Sequence, residues 1–197
     1  MSTKQYPLDK IIPFLKKKLD PARFKHTLGT TRIAMQLAAI YNAPVLKAEA
    51  AGLLHDCGKS MSARKMINYV KARRVSLPNK AEVIENSPAL LHSFIGADIA
   101  RRVFGIKDQD ILAAVRNHTV GAPDMGLLSK IIYISDAVAF DRRYPGIKRV
   151  RRLAYRNMDA AIREVMANKL YYVVLKKKWL HPGAVAAWNS AIRRERE

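Results

Sequence analysis

"LLHDCGKS", Leu53 to Ser60, is the stretch on which the reading of this chain turns. An apolar run ends in an adjacent histidine and aspartate, His55-Asp56, and Lys59 follows the aspartate by three residues. The run reads as the end of a helix that Pro44 opens. Two readings of the pair stand at this point. His55 is a C-cap or dipole partner and Asp56 caps the next turn, or both side chains hold a metal.

Working outward, nearly every segment reads as helix. Asp20-Pro21 looks like an N-cap followed by proline at the first helical position, opening a helix to about Tyr41 with Asn42 as its stop. Ser62 to about Arg74 is a further helix. Ser87-Pro88 repeats the cap-plus-proline pattern and opens a helix that ends before Gly105. Asp108 caps another, ending near His118. The stretch from about Leu127 to Ala139 carries "IIYISD", and two more helices run from Asp159 to about Lys176 and from Pro182 onward. Period-2 alternation and Asn-Gly hairpin signals are missing. Pro123, Pro145-Gly146 and Pro182-Gly183 fall between the segments, and the sequence has no repeat, low-complexity tract or linker. The expectation is an all-α fold, one helical bundle domain over residues 1–197.

Composition narrows the class. The 197 residues fit one domain, and an apolar fraction of 49% is enough for a core. No run is long and uncharged enough to span a membrane, and "MSTKQYPLDK" lacks the apolar stretch of a signal peptide. Cys57 is the only cysteine, so no internal disulfide can form. It is expected to pack as a small hydrophobe. A cytoplasmic enzyme or binding protein is the expectation. The net charge of +20 suits polyanionic partners. From Arg142 onward Lys and Arg outnumber Asp and Glu by 15 to 4, yet apolar residues run through the same region, so it is no detached basic tail.

The five histidines carry the chemistry. His26, His55, His92 and His118, followed by Asp136, lie 29, 37, 26 and 18 residues apart. Such gaps are too long for a zinc finger and fit ligands drawn from successive helices. Imidazole nitrogens and carboxylate oxygens suit divalent transition metals. A site of that kind with open positions polarises a phosphoryl oxygen and lowers the pKa of bound water. Asp136, flanked by Ile132, Tyr133 and Ile134, is a carboxylate in an apolar helix, which is costly unless paired or metal-bound.

The ordered set H…HD…H…H…D resembles the HD-domain metal-dependent phosphohydrolases. "RFKHTLGTTRIAMQLA", "AGLLHDCGK", "LLHSFIGADIA", "VRNHTVGAPDMGLLSKIIYISD", "RRYPGIKRVRRLAYRNMDAAI" and "LHPGAVAAWN" resemble, in order, the YqeK family of bacterial symmetrical diadenosine tetraphosphate (Ap4A) hydrolases. The resemblance covers about residues 21–189. It implies iron-dependent cleavage of Ap4A into two ADP, manganese or another divalent transition metal being the alternative ion. It also implies His26, His55, Asp56 and Asp136 as metal ligands. His92 and His118 then ligate a second ion or face the substrate phosphates. Asp56, Lys59, His92 and His118 are the implied catalytic residues.

Around these sit the expected substrate contacts. Lys59 balances phosphate charge. Arg23 shares a helix face with His26. Arg142 matches a family arginine near the nucleotide, where a guanidinium suits bidentate phosphate contact, while Arg143 reads as surface. Thr119 follows His118. Leu180, His181 and Pro182 match a stretch that lines the base or ribose, although His181 also reads as a helix-start residue. Departures from the family pattern concentrate near the substrate. Val120 and Ala122 replace a hydroxyl and an arginine, Ala139-Phe140 replaces an acid–proline pair, Ser93 stands where glycine is common, and Ala184 where threonine is common. All six metal-type residues are kept. Two alternatives remain at this level: hydrolysis of another nucleotide or phosphoester, and a basic nucleic-acid-binding protein with a vestigial site. No membrane role is expected.

Overall fold

In a computed structural model, which describes residues 6–196, eleven α-helices and two short 3-10 turns follow one another, with no strand among the described residues. The helices are α1 Leu8–Lys18, α2 Pro21–Ile40, α3 Val45–Leu54, α4 Ala63–Ala72, α5 Lys80–Asn86 and α6 Leu91–Arg102. They continue as α7 Gln109–Asn117, α8 Leu127–Val138, α9 Ile147–Ala154, α10 Met158–Leu175 and α11 Pro182–Arg196. The 3-10 turns are Cys57–Ser60 and Pro88–Leu90. None of the described helices is long and apolar enough to cross a membrane.

Side-chain caps, two of them expected at Asp20 and Asp108, explain where several helices start. The Asp20 side chain accepts from the Arg23 N–H, Ser62 from the Lys65 N–H, and Asp108 from the Asp110 and Ile111 N–H groups. Each satisfies a donor that the first turn leaves unpaired. Asn42 follows the end of α2 at φ 53°.

Five expectations need correction. Pro44 is the N-cap of α3, not its first residue. α10 begins at Met158, one residue before the expected Asp159, and Asn157 caps it, accepting from the Ala160 N–H. Ser87 makes no capping bond; Pro88 opens a 3-10 turn, and α6 begins only at Leu91. α1 and α5 lie where no helix was expected. α1 holds Pro13 in its interior and exists because Ile11 and Leu15, four apart, are fully buried; tertiary burial overrides local preference. The fifth is α9, where only Val150 and Ala154 are buried among basic neighbours. Arg151 on α9 donates to the carbonyls of Val138 and Ala139, satisfying the open end of α8.

α8 is the central element. Its residues from Ile131 to Val138 are all buried, as expected of a helix apolar nearly all round. It packs against α2, α7 and α10, and α2 lies along α3. Gly52 lets those two approach closely, since a Cβ there would stand 2.8 Å from the Thr31 backbone. Cys57 is buried and its thiol points to the Gly96 carbonyl of α6, in keeping with a packing role. The ends of α3, α7 and α8, the start of α6 and the N-terminal half of α2 converge on one interior point.

Candidate metal centre and nucleotide cavity

All four expected histidines meet there, and their Nδ1 atoms are already engaged. His55, the C-cap of α3, directs Nδ1 to the Gly52 carbonyl at 2.6 Å. His118, the C-cap of α7, directs Nδ1 to the Val115 carbonyl at 2.7 Å. His92 reaches the Ala89 carbonyl in the 3-10 turn before α6, at 2.5 Å. His26 on α2 reaches the Asp141 carboxylate at 2.9 and 3.0 Å. A carbonyl or carboxylate oxygen only accepts, so each Nδ1 carries a proton and Nε2 is the lone pair of the neutral ring; at His26 alone a second carboxylate faces Nε2 and favours the protonated ring.

Those lone pairs surround Asp56, which is buried to 1% exposure. Its Oδ2 lies 3.5 Å from His55 Nε2 and 4.0 Å from His26 Nε2. Its Oδ1 lies 3.4 Å from both His92 Nε2 and His118 Nε2, which are 3.0 Å from each other. Asp136 adds an oxygen 3.0 Å from His26 Nε2. The Thr119 hydroxyl sits 3.1 and 3.0 Å from the Nε2 atoms of His92 and His118. His55 Nε2 and Asp56 Oδ1 are buried with no hydrogen-bond partner.

This donor set fits a divalent transition metal. Two groups of three ligand atoms, His26–His55–Asp56 and Asp56–His92–His118, each lie within 4.8 Å of one another and share Asp56. Acceptors that face each other without a proton between them repel, and a cation removes that conflict. Holding imidazoles by their Nδ1 atoms is also the usual way a protein aims Nε2 at a metal.

Three expected phosphate partners lean on the same carboxylates. Arg23 donates to Asp56 at 3.0 Å, and Lys59 lies 3.6 Å from its other oxygen. Arg142 donates to the Asp136 carbonyl at 3.0 Å and to its carboxylate. Arg143 is exposed and bonds backbone carbonyls, as the surface reading expected. Burial alone would raise the pKa of Asp56, but His55, His118, Lys59 and His92 hold it well below the usual carboxylate range. Asp136 is likewise held low, against burial, by His26 and Arg142.

Burial pushes His55 down to about 4 and His92 down to about 3. Both rings are neutral when folded, whereas the unfolded chain binds protons near pH 6.5. The unfolded state then holds more protons, so stability falls as pH drops from 6.5 towards 4. For His26, burial opposes protonation but hydrogen bonds to Asp136 and Asp141 outweigh it and raise its pKa, an effect of opposite sign. With two rings lowered and one raised, the metal-free protein is expected to melt at lower temperature as pH falls through this window. A melting temperature that rises on acidification contradicts the arrangement.

Beside the centre lies a cavity of about 220 Å³. Leu180 and His181 line it with Leu90, Thr119, Trp179 and Lys169; Pro182 instead starts α11 and does not line it. The Gly183 N–H donates to His181 Nδ1 at 2.9 Å, so the ring proton sits on Nε2, which is buried and unpartnered. Helix-start and cavity roles thus fall on one residue.

Sequence reasoning missed Asp141, Trp179 and Lys169. An acid beside Arg142 and a lysine inside the apolar run "ANKLYYVVL" were the available signals. Asp141→Ala is expected to weaken divalent-metal binding roughly 10–100-fold, the usual cost of losing a group that orients a ligand, with Asp141→Asn intermediate because its amide oxygen still accepts from Nδ1. Metal titration of the apo-protein checks this, and unchanged affinity in the alanine variant refutes it.

The HD domain family model matches residues 23–141. The chain is 31% identical to the symmetrical bis(5'-nucleosyl)-tetraphosphatase of Halalkalibacterium halodurans, covering 93% of this chain and 96% of that one. It is 33% identical to the protein of the same name from Bacillus subtilis, over 89% and 92% of the two chains. The chain belongs to the HD-domain symmetrical bis(5'-nucleosyl)-tetraphosphatase family. The family fold is met again in the crystal structure of a predicted HD superfamily hydrolase involved in NAD metabolism from Clostridium acetobutylicum. That structure superposes with a TM-score of 0.90 and 36% identity over 96% of this chain and 99% of that one. All six metal-type residues of this family member lie within or next to the matched HD segment.

Proposed function

We propose that this chain hydrolyses Ap4A symmetrically to two ADP at a divalent-metal centre. The observation that carries the reading is Asp56, whose two oxygens each face a separate pair of imidazole lone pairs. His26, His55, Asp56 and Asp136 would hold one ion, iron by family resemblance, and His92 and His118 with Asp56 would hold a second. When bound, such an ion supplies Lewis acidity toward a phosphoryl oxygen and lowers the pKa of water.

The remaining work falls to the chain. With Asp56 and Asp136 engaged as ligands, Arg23, Lys59 and Arg142 would turn from these carboxylates to phosphate oxygens. The cavity beside Thr119, with Trp179, Leu180 and His181, accepts one adenosine and so fixes which phosphorus stands at the centre. Water adds to the β-phosphorus, the bond from Pβ to the bridging oxygen of Pγ breaks, and ADP leaves. Cationic groups aimed at the developing charge lower the barrier.

Metal analysis of the purified protein, together with product analysis over a nucleotide panel, tests the proposal. Stoichiometric iron or manganese and ADP as sole product from Ap4A are expected. ATP plus AMP, or turnover confined to nucleoside mono- or diphosphates, overturns it.

A further inference from the structure

Every cation facing the metal centre has a carboxylate partner except one. Arg23 and Lys59 pair with Asp56, and Arg142 pairs with Asp136. Lys169, on α10, forms no ion pair among the described residues. Its ammonium donates to the carbonyls of His118 and Thr119 at 3.1 and 3.3 Å and stands 3.7 Å from the centre of the Tyr133 ring. Carbonyl oxygens and a ring face stabilise a cation, but they carry no net charge to cancel it. Asp136 and Asp56 act on it only at a distance, so the half-buried ammonium lacks a direct counter-charge, which is costly.

Its position says what would supply that charge. Lys169 and Thr119 both line the nucleotide cavity, and the Thr119 hydroxyl touches Nε2 of His92 and of His118. Lys169 therefore stands where the cavity meets the metal centre. The other unsatisfied polar group of the cavity, His181 Nε2–H, is also a donor. A cavity with an apolar wall of Leu90, Val173 and Trp179, donors at Lys169, Lys178 and His181 and no acid in its lining suits a nucleoside joined to phosphate.

We infer that Lys169 is a substrate-binding residue whose ammonium takes the phosphate nearest the nucleoside in that cavity. This rests on the nucleotide-hydrolase reading above. The charge is delivered from α10, outside the matched HD segment, and it stands beside a loop whose own residues after Thr119, Val120 to Ala122, are uncharged. Lys169 keeps two donors on the loop carbonyls and has a third N–H to offer.

Calorimetric titration of the metal-loaded protein with ADP and with adenosine, for wild type, Lys169→Met and Lys169→Arg, tests the inference. Methionine keeps the stem length and removes the charge; glutamine serves as a second neutral variant if K169M folds poorly. The neutral variant is expected to bind ADP roughly tenfold or more weakly, as losing a charge-assisted hydrogen bond implies. Adenosine affinity stays unchanged, arginine restores part of the ADP affinity, and the KM for Ap4A rises in step. Equal ADP affinity in wild type and K169M overturns the role of Lys169 and leaves the hydrolase reading standing. A parallel loss of adenosine affinity also overturns it, since that marks a structural role. Wild type that binds neither ADP nor Ap4A removes both readings together.

Discussion

Asp56→Ala is expected to abolish metal loading and to lower Ap4A turnover by at least ~1000-fold, well beyond the 10–100-fold that losing an orienting partner costs. No other side chain belongs to both ligand groups. Removing it leaves His26 and His55 on one side and His92 and His118 on the other, with no carboxylate bridging the two pairs; Asp136 stays beside His26 alone. Arg23 and Lys59 then lose their partner and become buried or half-buried cations beside empty acceptors. Asp56→Asn separates charge from shape. It keeps the volume and one acceptor oxygen, so the fold should survive, yet the neutral amide binds a divalent ion poorly. Metal content by elemental analysis and initial rates with excess iron or manganese decide the matter. Either variant retaining stoichiometric metal and wild-type turnover places the chemistry elsewhere.

The same residue shows why two readings of the opening stretch could not be separated from sequence. His55 does end a helix and does bond a carbonyl three residues back, as a plain C-cap reading requires. That bond is also what turns Nε2 toward Asp56. His118 repeats the device at the end of α7, and His92 repeats it with the carbonyl of the 3-10 turn that Ser87-Pro88 opens. Capping and ligation are one arrangement, with Nδ1 serving the helix and Nε2 the site. The caps at Asp20 and Asp108 were legible because a side chain meets its own helix within three residues. Asp141 was not, because its partner His26 lies 115 positions away and only the fold joins them. It nonetheless supplies a carboxylate two residues after Ala139. α1, α5 and α9 escaped notice for a related reason. Each buries only one or two side chains and lacks a side-chain cap such as the one Ser62 gives α4, which buries as few.

Gly121→Val is expected to destabilise the protein by about 3 kcal/mol or more and to disturb the site from outside it. The loop after α7 carries Thr119 and must turn back at once toward α8. Gly121 makes that turn at φ 80°, and its N–H donates to the Asn117 carbonyl at 2.8 Å, closing the helix. An L-residue in the left-handed region costs roughly 1–2 kcal/mol, and a β-branched one is a genuine outlier there. Space is short as well. Even a Cβ would lie 3.2 Å from the Ala187 Cβ, with Met166 and Tyr133 at 3.5 and 3.6 Å. Overpacking of that kind typically adds 1–3 kcal/mol. The two effects together should lower the melting temperature by about 10 °C in a chain of this size. Gly126→Ala is the control, because its φ is −63° and nothing lies within 4 Å of its Cβ. Its cost is about 1 kcal/mol or less, from the poorer N-cap. A shift of the Gly121 loop also moves the Thr119 hydroxyl from His92 and His118 and withdraws a carbonyl from Lys169. Any G121V protein that stays folded should therefore bind ADP more weakly than wild type. Thermal melts of both variants beside ADP titrations make the comparison, and a G121V protein that melts with G126A and binds ADP normally contradicts this account of the loop.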